Sequence, residues 1–173
     1  MRRKALALLC VAAAGLTTGC SSTEFAIPDK FCEVPVSESS LSPLLPAGGT
    51  LKQKYADLKS RPGAACSISV DGQSVLAVNL LYWNRSPEPV NWDSVASTYK
   101  HAAKRDVSFQ GDAVIGSDHA VVHVDCNSES AYMSFVFYFR GDRVEDTREG
   151  YKKLQRFVDD FVPRQTDRYD CIK

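Results

Sequence analysis

Two histidines four residues apart, His119 and His123, followed by Asp125, are residue types that bind a transition metal or pass a proton. The spacing His-x-x-x-His suits a helix, on which both imidazoles share a face. Here Ala120, Val122, Val124 and Cys126 alternate with the histidines and with Val121 and Asp125, which is the period of a strand. Strand residues four apart share a face but lie roughly 13 Å apart, and one zinc ion needs about 2.1 Å to each nitrogen. The pair therefore reads as two partly exposed strand histidines rather than a metal site. His101 falls on the polar side of a helical stretch and reads as solvated. Gly-x-Ser-x-Gly, His-Glu-x-x-His and phosphate-cradling glycine loops do not occur. Asp159-Asp160 reads as surface charge near the end of the last helix. No catalytic residue and no cofactor is expected, and the chain does not read as an enzyme.

A second constellation is aromatic. Tyr82 and Trp83 end one strand-like run, Trp92 and Tyr99 follow at the start of a helical one, and a loop with two prolines lies between. Such a cluster packs a strand end against a helix start. It also suits a groove for a peptide, glycan or lipid, because Trp and Tyr tolerate a pocket with a wet edge. Tyr82, Trp83, Trp92 and Tyr99 are the candidate ligand groove.

Cysteines carry the remaining chemistry. Leu16-Thr17-Thr18-Gly19-Cys20 closes the uncharged apolar run that begins at Ala5, and Arg2, Arg3 and Lys4 precede that run. This is the form of a lipoprotein signal, with cleavage before Cys20 and acyl chains, palmitate among them, on the Cys20 thiol. Thr17 stands where lipoproteins usually carry Leu, which leaves an ordinary secretory signal as the other reading. At about a dozen residues the run is short of the roughly 20 that span a bilayer. Removing 19 of the 173 residues leaves 154, one domain with room for a core. Three of the 21 basic residues and none of the 21 acidic ones leave with the signal, so the body carries −3. That balance argues against nucleic acid as a partner. Cys32, Cys66, Cys126 and Cys171 remain, an even number outside the cytosol, which reads as disulfides. Four cysteines allow three pairings, and the sequence does not choose among them. The expected set is Cys32–Cys66, pinning the N-terminal segment to the first strand, and Cys126–Cys171, pinning the tail to a central one. The chain-entropy model gives each about 4 kcal/mol at most.

Periodicity supplies the elements that position these groups. Residues 20–30 read as a lipidated tether after the signal at 1–19, and 31–173 as one domain. Ser39 to Leu45 allows a helical turn or two, and Thr50 to Arg61 carries no clear period. Cys66–Val70 and Val75–Trp83 alternate around Asp71-Gly72, a favoured hairpin pair. Trp92, Val95, Ala96, Tyr99, Ala102 and Ala103 mark an amphipathic helix capped by Asn91 and running to about Lys104. Val107 to Phe109, Ala113 to Ile115 and Ala120 to Cys126 read as strands. Ala131–Arg140 is apolar on both faces, so a central strand covered by helices is expected. Asp142 and Glu145 resemble a capping box for a last helix that Pro163 ends. The fold class is α+β: an antiparallel sheet of about five strands packed by two main helices.

Three stretches together carry a resemblance: the Cys20 lipobox, Phe31-Cys32-Glu33-Val34-Pro35-Val36, and Cys66-Ser67-Ile68-Ser69-Val70-Asp71-Gly72, with Cys126 and Cys171 beyond. The whole chain after the signal resembles the small membrane lipoproteins of unknown function found in actinobacteria such as streptomycetes. The resemblance implies attachment to the outer face of the cell membrane and a sheet-and-helix body similar to PsbP-like domains. It supplies no catalytic residue. The expected function is a lipid-anchored, extracytoplasmic, non-catalytic binding domain. It would be held to the membrane by the Cys20 lipid, with an envelope protein or small ligand as partner. A small-molecule or lipid carrier with a cavity between sheet and helices is the alternative, and a hydrolase the third.

Overall fold

Strand period wins over helix period through most of this chain, and most strands pair with their neighbours in sequence. The computed structural model describes residues 24–86, 88–127 and 131–172, so Cys20 and the signal at 1–19 lie outside the described residues. The chain is α+β. In order come β1 (Lys30–Phe31), β2 (Val34–Pro35), α1 (Glu38–Leu41) with a 3₁₀ turn at Ser42–Leu44, β3 (Leu51–Asp57), β4 (Gly63–Val70) and β5 (Gln73–Trp83). Then follow α2 (Trp92–Thr98), β6 (Ala103–Arg105), β7 (Asp112–Ile115), β8 (His119–Asp125), β9 (Tyr132–Phe139) and α3 (Tyr151–Arg168).

Seven strands form one antiparallel sheet in the order β3-β4-β5-β9-β8-β7-β6. Two meanders, β3-β4-β5 and β6-β7-β8-β9, meet where β9 pairs with β5. The β4–β5 turn is Asp71-Gly72, at φ 50° and 82°. Both residues are left-handed, as a tight hairpin with strand-matched twist requires. The Asp71 carboxylate also accepts hydrogen bonds from the Gly49 and Thr50 N–H groups, which locks the start of β3 onto this turn.

Helix α3 lies across one face of the sheet. Phe135 and Phe137 of β9, Leu76, Val78 and Leu80 of β5, and Val122 and Val124 of β8 are fully buried beneath Leu154, Phe157, Val158 and Phe161. Phe137 meets Phe157 and Phe161 edge-on at 6.1 and 5.9 Å, and Phe31 of β1 closes the cluster at 6.0 and 5.6 Å from the same two rings. Two disulfides staple this side, Cys32–Cys66 with Cα atoms 5.5 Å apart and Cys126–Cys171 at 4.6 Å, the pairing expected from the sequence.

Several boundaries differ from expectation, each for a local reason. The sheet has seven strands, not about five, because β3 and β6 join its edges. Residues 107–109 are not strand; the edge strand lies earlier, at Ala103–Arg105, paired with Ile115 to Ala113. Helix α2 stops at Thr98 instead of about Lys104. The Ser97 and Thr98 hydroxyls both bond back to the Ser94 carbonyl, Tyr99 turns extended, and Ala103 is taken by β7. Asn91 does cap it, accepting from Ser94 N–H at 3.0 Å. Asp142 and Glu145 do not start α3; it begins at Tyr151 without a side-chain cap, and Glu145 instead pairs with Lys153 at 2.8 Å. Pro163 does not end α3, which runs on to Arg168. A mid-helix proline costs about 3 kcal/mol, and the turn beyond it is held from outside. Gln165 and Arg168 both donate to the Cys32 carbonyl, at 2.8 and 3.0 Å, and Cys171 N–H bonds Thr166. The tail thus has more restraint than its disulfide. Within the stretch read as a tether, Glu24 N–H bonds the Gly48 carbonyl, and Phe25 and Ile27 pack against the core.

Candidate functional site

The other face of the same strands lacks a covering helix over most of its width, contrary to the expectation that β9 is covered on both sides. Antiparallel pairing lines up Trp83, Tyr132 and Asp125 in one row, Leu81, Ser134 and His123 in the next, then Asn79, Val136 and Val121, then Ala77, Tyr138 and His119. Short α2 packs on β6 and β7 at one side of the sheet and buries none of its residues fully. Between α2, the loop residues Arg85 and Glu88 to Val90, and the sheet lies a cleft of about 380 Å³. Its floor is Val121, Val122, His123 and Ser134. One wall is Trp83 and Tyr132, and the other is Trp92, Pro89 and Val90. Val90 is the one large apolar side chain exposed among the described residues.

The aromatic rings run as a chain around this cleft. Trp83 stacks parallel on Tyr132 at 5.8 Å, Tyr132 lies 4.3 Å from the His123 ring, and His123 lies 6.4 Å from Trp92. The Trp83 indole N–H donates to Ser134 Oγ at 2.9 Å. The guanidinium carbons of Arg61 and Arg85 sit 4.5 and 4.7 Å from the Trp83 ring centre. Arg85 also pairs with Glu88 at 3.0 Å, and the Tyr132 hydroxyl beside it pushes the pKa of its already cationic guanidinium further up. Both tryptophans of the chain therefore line one cleft.

The four residues of the candidate groove do not all meet. Trp83 and Trp92 face each other across the cleft. Tyr82 pairs with Met133 and so belongs to the α3 side. Tyr99 stacks on His119 at 4.4 Å, at the far end of β8. Tyr132, Ser134, Arg61 and Arg85 were not singled out from the sequence. Tyr132 and Ser134 had a signal in the second face of β9, but their place beside Trp83 depends on the β5–β9 register, which the sequence does not print.

His123 is the histidine of the cleft. Burial holds its imidazole below the ordinary histidine range, against the opposite pull of Asp125 and Asp112, so it is neutral near pH 7. Its Nε2 is buried without a hydrogen bond, 4.0 Å from Asp125 Oδ1. Ser134 is its cross-strand partner, so Ser134, His123 and Asp125 stand near one another. This trio departs from a working nucleophilic triad in two ways. The His123–Asp125 distance is too long for the hydrogen bond that orients a catalytic base. The neighbouring backbone N–H groups lie in the sheet ladders, leaving no pair of donors aimed at a developing oxyanion. Among the described residues no three His, Cys, Asp or Glu side chains converge on a metal position.

The other residues read from the sequence have structural posts. His119 Nδ1 lies 3.0 Å from Asp118, and His101 Nε2 lies 3.3 Å from Asp146, so His101 has an ionic neighbour rather than solvent alone. Asp159 and Asp160 are not idle surface charge. Asp159 accepts from Ser108 N–H and Oγ, at 2.8 and 3.1 Å. Asp160 accepts from Ser37 N–H, the Ser37 and Ser40 hydroxyls and Arg164, clamping the start of α1 to α3.

No helix among the described residues is long and apolar enough to cross a membrane. No family model matches the chain, and neither a curated protein nor a solved structure is significantly similar to it.

Proposed function

We propose that this is a lipid-anchored, extracytoplasmic, non-catalytic binding domain, with Cys20 as the acylated residue and the Trp83–Trp92 cleft as its ligand site. The observation that carries the reading is the cleft itself. It gathers both tryptophans, a tyrosine and a neutral histidine on a sheet face that the fold leaves open. Open aromatic walls with few polar groups suit a flat-faced or extended apolar ligand, with Arg85 and Glu88 at the rim to orient it. The non-catalytic reading is supported by the long His123–Asp125 distance and the engaged backbone around Ser134.

The carrier reading finds less support. A cavity between sheet and helices would have to open where Phe135, Phe137, Phe157 and Phe161 are already fully buried. The sheet-and-helix body is compatible with a PsbP-like architecture, which says little about activity. Two experiments test the proposal. Cys20→Ala should release the protein from membranes, because the acyl chains supply the attachment; full retention would defeat the anchor. Mass spectrometry of the gently extracted protein should find a stoichiometric companion that is lost in Trp83→Ala/Trp92→Ala. A companion unaffected by that double substitution would place the site elsewhere.

A further inference from the structure

The cleft and Glu24, the described residue nearest to Cys20 in sequence, lie at opposite ends of the sheet, and this deepens the reading above, since it rests on acylation of Cys20. Glu24 is tied by its N–H to the Gly48 carbonyl at 3.0 Å. Gly49 and Thr50, the next residues, are held by the Asp71 carboxylate at the β4–β5 turn. Glu24 is therefore fixed beside Asp71-Gly72. Three residues separate it from Cys20, and the four Cα–Cα steps reach at most about 14 Å. From that turn β5 runs from Gln73 to Trp83, and at about 3.3 Å per residue its far end is about 33 Å away. Trp83 lies at that far end, with Trp92 across the cleft.

We infer that the acylated domain stands on the membrane at the Asp71-Gly72 end of its sheet. The Trp83–Trp92 cleft is then carried at the outer end, open to a ligand that arrives from the envelope space and beyond the reach of bilayer lipid. Electrostatics favours standing over lying. Of the cleft-side cations, Arg85 and Lys104 are paired with Glu88 and Asp112, at 3.0 and 2.6 Å, Arg61 lies against the Trp83 ring, and the body carries −3. Its open face thus gains little from an anionic leaflet, which attracts unpaired basic clusters.

Because both tryptophans sit in the cleft, the unlabelled protein reports its own height. The acylated full chain is reconstituted into phosphatidylcholine vesicles containing a dansyl-labelled lipid, and energy transfer from tryptophan to dansyl is measured. Wild type is compared with Trp83→Phe/Trp92→Phe carrying Gln73→Trp, which moves the donor to the turn. Transfer should be several-fold weaker from the native tryptophans than from position 73; equal or reversed transfer would overturn the standing orientation. A second measurement needs no substitution. Brominated lipid should leave wild-type emission unchanged while aqueous acrylamide quenches it, and quenching by the brominated lipid would overturn the proposal. Vesicle flotation keeps the underlying anchor separate. Cys20→Ala that still floats would overturn acylation at Cys20, whatever the transfer values are.

Discussion

The two faces of one sheet are built from the same strands and have opposite characters. On β9, Met133, Phe135, Phe137 and Phe139 are buried against α3, while Tyr132, Ser134, Val136 and Tyr138 alternate with them toward the open side. On β8 the split is Ala120, Val122 and Val124 against His119, Val121 and His123. The covered face has an 18-residue helix, two disulfides and four interlocked phenyl rings. The open face has a seven-residue helix with no fully buried residue. A side-chain period of two thus separates the residues that hold the fold from those free to meet a ligand.

That division sets very different costs for similar truncations. Phe157→Ala removes a ring that touches Phe31, Phe137 and Phe161, and should cost about 3–5 kcal/mol through lost burial and the cavity left behind. Trp92→Ala removes a larger ring from the open face and should cost no more than about 1 kcal/mol. Urea unfolding followed by far-ultraviolet circular dichroism measures both. Equal losses would mean that α2 is part of the core and that the two-face description is wrong.

The disulfides sharpen the comparison next. Both lie at the margins of the covered side, and Cys126–Cys171 closes a 45-residue span that includes β9 and α3. Cys126→Ala/Cys171→Ala should cost about 2–5 kcal/mol. Native-state hydrogen exchange should show the loss concentrated at the C-terminal end of α3. A loss centred on α2 instead would contradict the assignment of that bridge to the covered face.

Asp160 gives a smaller effect with a pH signature. Burial works to raise its pKa, but the Ser37 N–H, Arg164 and the Ser40 and Ser37 hydroxyls outweigh this and hold it below the ordinary aspartate value. The folded state therefore binds its proton more weakly than the unfolded chain does. Its stabilisation is present above the unfolded value of about 3.9 and is lost as pH falls through the folded one. Asp160→Asn should cost about 1–2 kcal/mol at pH 7, and its stability should decline less steeply than wild type in acid. Parallel curves for the two proteins would show that the clamp carries no charge-linked stability.

How much of this was legible in the sequence depended on the range of the interactions involved. β4, β5, β8 and β9 announced themselves because their alternation is local, and the Asp71-Gly72 turn because its conformation belongs to two residues. The ends of α2 and α3 did not, since tertiary contacts decided them. Ala103 fits a helix stripe until β7 claims it, and Pro163 stops a helix unless the Cys32 carbonyl holds the next turn. Strand β3 hid because Gln53 and Asp57 interrupt the face that carries Leu51 and Tyr55, while Lys52 and Lys54 lie on the other face, as suits an exposed edge. Half of the cleft was visible as Trp83 and Trp92. Tyr132, Ser134 and Arg85 were not, because the β5–β9 register and a loop conformation bring them there.

The finest test of the two faces is His123, which belongs to the open side yet is largely buried there. Burial lowers its pKa below the ordinary value of about 6.5. The unfolded chain therefore holds its proton more tightly, and stability rises with pH between the folded and unfolded values. As pH falls from about 6.5 through the folded pKa, protonation should loosen the cleft rather than the α3 side, because the ring meets Tyr132 and Trp92 on the face opposite to Val122 and Val124. Tryptophan emission should shift in this range while far-ultraviolet circular dichroism stays constant. His123→Gln should abolish the shift. A shift that survives in His123→Gln would show that another group drives the transition. A simultaneous loss of circular dichroism would mean that the two faces unfold as one.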